Sequence, residues 1–487
     1  MTLLRTIVIA SVVALALAGV ASAQSWTPLT NQPGVTLGPI LQLRDGRVIV
    51  HEEQDGDATA WHILTPDAYG SYINGTWSDG GHLPANYGPY YFGSQLLLNG
   101  TQLVIEGGEY NFGNEAFTNL GAIGTVTPFG GPLNWVLNNP PTGWTRIGDA
   151  ESIVLPNGVY MQSSCCTAQN ALYNGPNSWI ATGSVHQSSN DESGFTLLTN
   201  GLVLTVDTKR AGVCGASKAS ELYNYTTGVW SCGPLTPVQL YNSRDEELGA
   251  AVLMYNNKVF QMGGNVVASA IYDVASNTWS SGPTPSGGLD QADGPSALEP
   301  NGLVLAMLSP GLFNTPSQMV EYNPTTNTLA NAPNPDNAPI DSSFYGHLMI
   351  LPTGQIMFTD FSNEAEIYTP APGVVAGVAP TILLSTNNLA SGSTNNVMYG
   401  YQLNGLTQNN AYGDDYQADT DFPLVRLTSV ADGTVHYAFT HDDSTHSIAP
   451  HTFGSTKFDL PALTPGQYNL VAVTNGITSN SIRVNVH

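Results

Sequence analysis

The sequence predicts an all-β protein, a seven-bladed β-propeller followed by an immunoglobulin-like β-sandwich. A hairpin phrase recurs seven times, as in Leu43-Arg-Asp-Gly-Arg-Val-Ile, Leu198-Thr-Asn-Gly-Leu-Val-Leu and Leu351-Pro-Thr-Gly-Gln-Ile-Met. Its turn residues are Gly46, Gly100, Gly158, Gly201, Asn257, Gly302 and Gly354, spaced by 54, 58, 43, 56, 45 and 52 residues. A period of about 50 residues, each with a tight turn between β-rich runs, is the mark of a propeller blade. From Pro380 the repeat stops, but short alternating strands continue for roughly 105 residues, the pattern of an immunoglobulin-like sandwich. No long helical periodicity occurs.

Residues 1–23 read as a signal peptide: Arg5, an apolar run from Ile7 to Ala18, then the small residues Ala21-Ser22-Ala23. The run is short for a bilayer span, so a cleaved leader and a secreted product are expected. Residues 24–372 hold the propeller. Each blade is expected to end near an aromatic: Trp77, Trp135, Trp179, Trp230 and Trp279, with Leu329 in the sixth copy. Packing between neighbouring blades explains these tryptophans better than ligand binding. The seventh copy runs through Glu364-Ala-Glu-Ile-Tyr-Thr-Pro370 and lacks its last strand. Ser25-Trp26-Thr27-Pro28 matches the missing piece, so the N-terminal strand is expected to close blade seven and remove the free edges. A Pro- and Gly-containing break precedes the sandwich, 380–487.

Charge is sparse and acidic: 12 Lys and Arg against 37 Asp and Glu, net −25. Losing Arg5 with the leader leaves 11 against 37, or −26. Such a surface argues against nucleic acid and anionic membranes, and for cations and neutral, hydroxyl-rich partners. Of the four cysteines, Cys214 and Cys232 flank one expected strand pair and are assigned as a disulfide. Cys165 and Cys166 are adjacent, and a vicinal disulfide and two buried thiols both remain open.

A kelch-type propeller with such a C-terminal domain resembles galactose oxidase and its relatives. The more specific matches lie in Tyr401-Gln-Leu-Asn-Gly-Leu-Thr, Phe422-Pro-Leu-Val-Arg-Leu-Thr, Gly433-Thr-Val-His-Tyr-Ala and Pro465-Gly-Gln-Tyr-Asn-Leu-Val. The resemblance implies a copper site on the propeller axis, built from two tyrosines, two histidines and a tyrosine–cysteine cross-link. By repeat alignment the cross-linking cysteine falls at Glu192, the cross-linked tyrosine at Leu248, and the tyrosine–histidine pair at Phe344-Tyr345. Only a loop histidine finds a counterpart, His446 in Ser444-Thr445-His446-Ser447. Glu192 forms no thioether and Leu248 holds neither radical nor metal. Copper radical oxidation is therefore not expected.

Nine residues before each turn stand Leu37, Tyr91, Asp149, Glu192, Leu248, Asp293 and Tyr345. These positions and their neighbours carry Asp149 and Glu151, Asp191 and Glu192, Glu246 and Glu247, Asp290 and Asp293, and Asp341. In a propeller they converge on one mouth of the axis, where a cation, raised pKa values or solvent must offset their repulsion. The competing reading is that they cap turns. Tyr91, Asp149, Glu192, Glu247, Asp293, Tyr345 and His446 are the candidate ligand-binding residues. Asp149, Glu192, Asp293 and His446 are the candidates if the site is catalytic. Oxygen-only ligands suit Ca²⁺ or Mg²⁺ better than copper or zinc. A second acidic run, Asp414, Asp415, Asp419 and Asp421, is a weaker Ca²⁺ candidate without EF-hand spacing. His436, His441, His446 and His451 lack a metal-ligand spacing. The resemblance implies that the tip near His446 enters the channel beside Glu192 and Tyr345. The expected function is binding of an extracellular glycan or cell-wall ligand. A divergent oxidase or carboxylate-based carbohydrate-active enzyme is the alternative, and an adhesin-like scaffold a third.

Overall fold

The computed structural model describes residues 24–487 apart from 54, 55, 98, 210–212, 245 and 414. The expected leader, 1–23, lies outside the described residues. Among the described residues there is no α-helix, only strands and three short 3-10 turns. No helix is long and apolar enough to cross a membrane. Cys214 is disulfide-bonded to Cys232, and Cys165 to Cys166.

Residues 25–369 form seven successive antiparallel sheets of four strands each, one of them joined by a fifth strand from 410–411, besides a small three-stranded patch at 89–115. The first sheet runs Leu37–Gln42, Val48–Glu52, Ala60–Thr65 and Thr76–His82. The repeated phrase supplies the first hairpin of each sheet. In the first copy the Leu43 N–H donates to the Arg47 carbonyl (2.8 Å), and the Gly46 N–H donates back to the Leu43 carbonyl (3.1 Å). All seven turn residues have positive φ, from 62° at Asn257 to 89° at Gly302. Glycine and asparagine reach that region at little cost, which is why they recur there.

The innermost strands follow one another in a circuit. Leu37–Gln42 lies beside Gly93–Leu96, which lies beside Ser152–Val154. Thr196–Leu197 lies beside Leu248–Leu253, then come Ser296–Leu298 and His347–Ile350, which returns to Leu37–Gln42. The third and fourth sheets meet through a shared core of Ile153, Leu155, Leu197 and Val203. The seventh sheet draws its outermost strand from the N-terminus: Ser25–Pro28 pairs with Glu366–Thr369, Trp26 opposite Tyr368. The tryptophans do pack between sheets. Trp77 Nε1 donates to the Asn31 carbonyl (3.0 Å), Trp179 to Asn139 (2.8 Å) and Trp26 to Pro333 (2.8 Å), each reaching the sheet before its own.

From Thr381 the strands join one curled sheet. Its order is Thr381–Ser385, Asn396–Tyr401, Phe453–Asp459, Val435–His441, Leu424–Ser429, Gly466–Thr474, Ile482–Val486 and Asn388–Leu389. Ile382, Met398, Val425, Phe458, Leu470 and Val484 fill its concave side. It rests on the turn face of the ring, with Tyr437 against Gly46, Val435 against Gly70 and Gly476 against Gly354.

One segment leaves this sheet and runs up the axis. The innermost strands have one unpaired edge, whose amides and carbonyls need partners. Residues 407–413 and 415–417 supply them. Gln408 Oε1 accepts from the Leu197 N–H (2.9 Å), and Asn410 Oδ1 from the Ile350 N–H (2.8 Å). Asn409 Nδ2 donates to the Leu298 carbonyl (2.8 Å), and Gln417 Nε2 to Phe195 (2.6 Å). The Tyr416 hydroxyl donates to the Ile40 carbonyl (2.5 Å). Asn410–Ala411 also pairs as a fifth strand with Ser296 and Ala297.

Candidate functional site at the axial mouth

The site lies at the end of the axis away from the hairpin turns, where each chain enters its innermost strand. Tyr91, Glu192 and Asp293 occupy the same repeat slot and all have left-handed backbone, φ 53°, 61° and 47°. Glu246, one residue before Glu247, is at 63°, and Gly148, before Asp149, is at 70°. A non-glycine residue in this region costs about 1–3 kcal/mol and persists where the surroundings enforce it.

Four consecutive sheets, the third to the sixth, deliver the acids. Asp149, Asp191 and Glu192 have carboxylate oxygens within 4.8 Å of one another, and so do Glu192, Glu247 and Asp293. Lys209 serves the first group: its Nζ lies 2.8 Å from Asp191 Oδ2 and 2.7 Å from Glu246 Oε2. Burial works against the Lys209 charge, but Asp191 and Glu246 outweigh it and its pKa is raised. Burial, then the charges of Asp293 and Glu192, push the Glu247 carboxyl far above the usual range, so it is protonated at neutral pH.

The seventh and second sheets deliver aromatic rings. Phe361 joins Tyr91 (centroids 6.0 Å) to Tyr345 (5.9 Å), and Phe344 stacks obliquely on Tyr345 (4.2 Å). A Cβ on Gly38 would lie 3.1 Å from the Phe361 ring, which therefore covers the first sheet. The mouth is thus aromatic on one side and acidic on the other. Burial, then Glu53, Glu109, Asp415 and Asp293, raise the Tyr91 phenol well above its ordinary pKa, so it keeps its proton.

Several residues from the acidic set point elsewhere. Glu151 is buried and accepts from the hydroxyls of Ser163 (2.8 Å) and Ser193 (2.8 Å). Asp290 caps a turn, Oδ1 accepting from the Asn265 N–H (2.9 Å) and the Ala292 N–H (3.2 Å). Asp341 faces Asp360, and burial with that neighbour raises its pKa to about 8.

The expectation for His446 is corrected. It lies against Pro156, Leu198, Thr199, Asn200 and Gly201, at the turn end of the fourth sheet's inner strand, whereas Glu192 precedes the other end. The tip 442–447 docks outside the ring because Asp443 forms a buried ion pair with Arg44. The axis is already filled by residues 407–413 and 415–417. The run expected as a second Ca²⁺ site is divided too. Asp415 reaches the mouth, close enough to raise the Tyr91 pKa. Asp419 accepts from Gln408 Nε2 (2.9 Å) and Asp421 from the Ser447 hydroxyl (2.7 Å) in a buried network below. Asp414 lies outside the described residues.

Sequence reasoning missed Lys209, Phe361, Tyr412 and His347. Tyr412 donates to the Phe344 carbonyl (2.6 Å) and lies parallel to His347 (centroids 5.4 Å, 5°). Burial lowers the His347 pKa to about 3, so the imidazole is neutral. The one available signal was the amide- and tyrosine-rich run Gln408-Asn-Asn-Ala-Tyr-Gly413, unusual between two strands.

Among solved structures the chain is similar to a fungal alcohol oxidase of the AA5 family in complex with copper. The two share 14% identity over 96% of this chain and 100% of that one, with a TM-score of 0.55. The chain has a galactose oxidase-like, β-rich fold. Virginiamycin B lyase from Staphylococcus aureus matches 71% of this chain and 99% of its own, at 11% identity and TM-score 0.49. A streptogramin B lyase matches 72% and 99%, at 10% identity and TM-score 0.49. No protein-family model matches the chain, and no curated protein matches it either.

The residues present do not suit the copper named in the first of these. The acid groups at the mouth offer oxygen alone, and Leu248 brings no donor atom. Copper(II) favours nitrogen-rich tetragonal sets, so the mouth does not fit a copper radical centre.

Proposed function

We propose that the protein is secreted, that its seven sheets are the blades of a kelch-type propeller capped by an immunoglobulin-like sandwich, and that the mouth binds an extracellular carbohydrate. The observation that carries this reading is the division of the mouth into an aromatic half and a carboxylate half. A sugar ring has an apolar face that stacks on Tyr91, Phe361 and Tyr345. Its hydroxyls donate to Asp149, Glu192 and Asp293, charge-assisted bonds of the stronger kind. Net charge of −25 favours neutral or amino sugars over acidic ones. A glycan array with neutral, amino and acidic members tests this. Binding of a neutral or amino glycan, lost in Glu192→Gln and Asp293→Asn, is the expected result. Silence on the whole array, or preference for acidic glycans, refutes it.

A second reading is enzymatic. Glu247, held protonated beside Glu192 and Asp293, is placed to give a proton to a glycosidic oxygen. The fold likeness keeps a divergent oxidoreductase alongside it. Release of reducing sugar or consumption of oxygen on the bound glycan, abolished in Glu247→Gln, would favour this reading over simple binding.

A further inference from the structure

We propose that Glu192, Glu247 and Asp293 form a Ca²⁺ site, and that the bound ion takes the hydroxyls of the carbohydrate as its remaining ligands. The second half rests on the carbohydrate reading above; the ion itself does not.

Each of the three residues offers one carboxylate oxygen, and the three atoms lie within 4.8 Å of one another. Calcium holds oxygen at about 2.3–2.6 Å, so oxygens within 4.8 Å of one another are near enough to share one ion. Magnesium is usually held by one or two carboxylates and keeps several waters, so three converging carboxylates favour calcium. The group contains no nitrogen or sulfur donor, which selects a hard cation over copper or zinc.

A separate observation points the same way. Glu247 is only 8% exposed, and its Oε2 accepts no hydrogen bond from any donor among the described residues. Binding of the ion displaces the Glu247 proton, as metal ligation by a carboxyl requires, and gives the buried oxygen the partner it lacks. The Lys209 ammonium lies on Asp191 and Glu246 and feels the Glu192 charge, but it makes no hydrogen bond to Glu247 Oε2. The backbone also leaves the space clear. A Cβ on Gly413 would lie 2.4 Å from Asp293 Oδ1, and one on Gly194 would lie 2.7 Å from the Gly413 carbonyl. Two glycines from distant parts of the chain keep side chains out of the space beside the triad. Three carboxylates leave several of calcium's six to eight positions for water and ligand hydroxyls.

The test is calorimetric titration of the chelator-treated full chain with CaCl₂, alongside MgCl₂ and CuCl₂, with thermal melts on the same samples. One Ca²⁺ per chain is expected, with affinity lowered at least tenfold in Glu247→Gln and in Asp293→Asn. Glu247→Gln also removes a buried acid. It should therefore melt above the parent without calcium, yet no longer respond to calcium, which separates loss of the site from loss of the fold. Absence of Ca²⁺ binding, equal affinity in the variants, or stoichiometric preference for Cu²⁺ overturns the site. Glycan binding that persists undiminished in EDTA overturns the bridging role and leaves the carbohydrate reading standing. Calcium binding at the triad with no glycan bound supports the site and refutes the carbohydrate reading alone.

Discussion

Replacing Arg44 by methionine should loosen the C-terminal sheet from the ring. Arg44 sits in the first hairpin turn, and its side chain and that of Asp443 are each 1% exposed. Its guanidinium also lies 4.7 Å above the Phe422 ring. Methionine keeps most of the buried volume but leaves Asp443 as a buried charge without its cation. Breaking such a pair costs about 3–5 kcal/mol, mostly the penalty on the stranded partner. Loss of the contact with Phe422 adds about 1 kcal/mol. Asp443→Asn in the Arg44→Met background removes the stranded charge and should recover about half of that loss. Urea unfolding of the four proteins of this double-mutant cycle, followed by tryptophan fluorescence, measures the coupling. The reasoning fails if Arg44→Met costs under about 1 kcal/mol, or if the two substitutions add without coupling.

Gly413→Ala places a methyl group 2.4 Å from Asp293 Oδ1 and 2.9 Å from its Cα; overpacking of about 1–3 kcal/mol is expected. Ligand affinity at the mouth should fall about tenfold or more while circular dichroism is unchanged, and unaltered affinity would place the ligand elsewhere. Stability should fall as pH rises from 5 to 9. Burial, then Glu221, raise the Asp207 carboxyl to about 8, against an unfolded value near 4, so the native state holds the extra proton. The stability it contributes is complete below about pH 4 and is lost as pH passes through about 8. Melting temperatures of Asp207→Asn across that range should show a shallower slope, and an identical slope would exclude Asp207 as the source. Cys214 and Cys232 are separated by 18 residues, so replacing both by serine should lower unfolding stability by about 3 kcal/mol. A urea midpoint unchanged from the parent would contradict that figure.

Local chemistry made much of the ring legible. The turn residues were readable because only glycine and asparagine adopt positive φ cheaply, and all seven do so. The aromatic positions were readable because a tryptophan at a fixed offset needs an apolar neighbour, which the adjoining sheet supplies, and for Trp26, Trp77 and Trp179 that sheet also supplies an acceptor for the N–H. Which acids meet was not readable. Glu151 lies two residues from Asp149, and Asp290 three from Asp293, yet Glu151 turns to Ser163 and Ser193 and Asp290 to backbone amides. Nothing within either stretch chooses between those fates.

The chain's own text thus determined an all-β architecture, its period, its turn positions and an acidic character. The three-dimensional arrangement alone decided that residues 407–413 and 415–417, and not the tip carrying His446, fill the axis. The physical reason is the separation of the partners. The side-chain amides of Gln408, Asn409, Asn410 and Gln417 bond to Leu197, Leu298, Ile350 and Phe195, backbone groups at the inner edges of the fourth, sixth and seventh sheets. Their match exists only once those sheets stand around a common line.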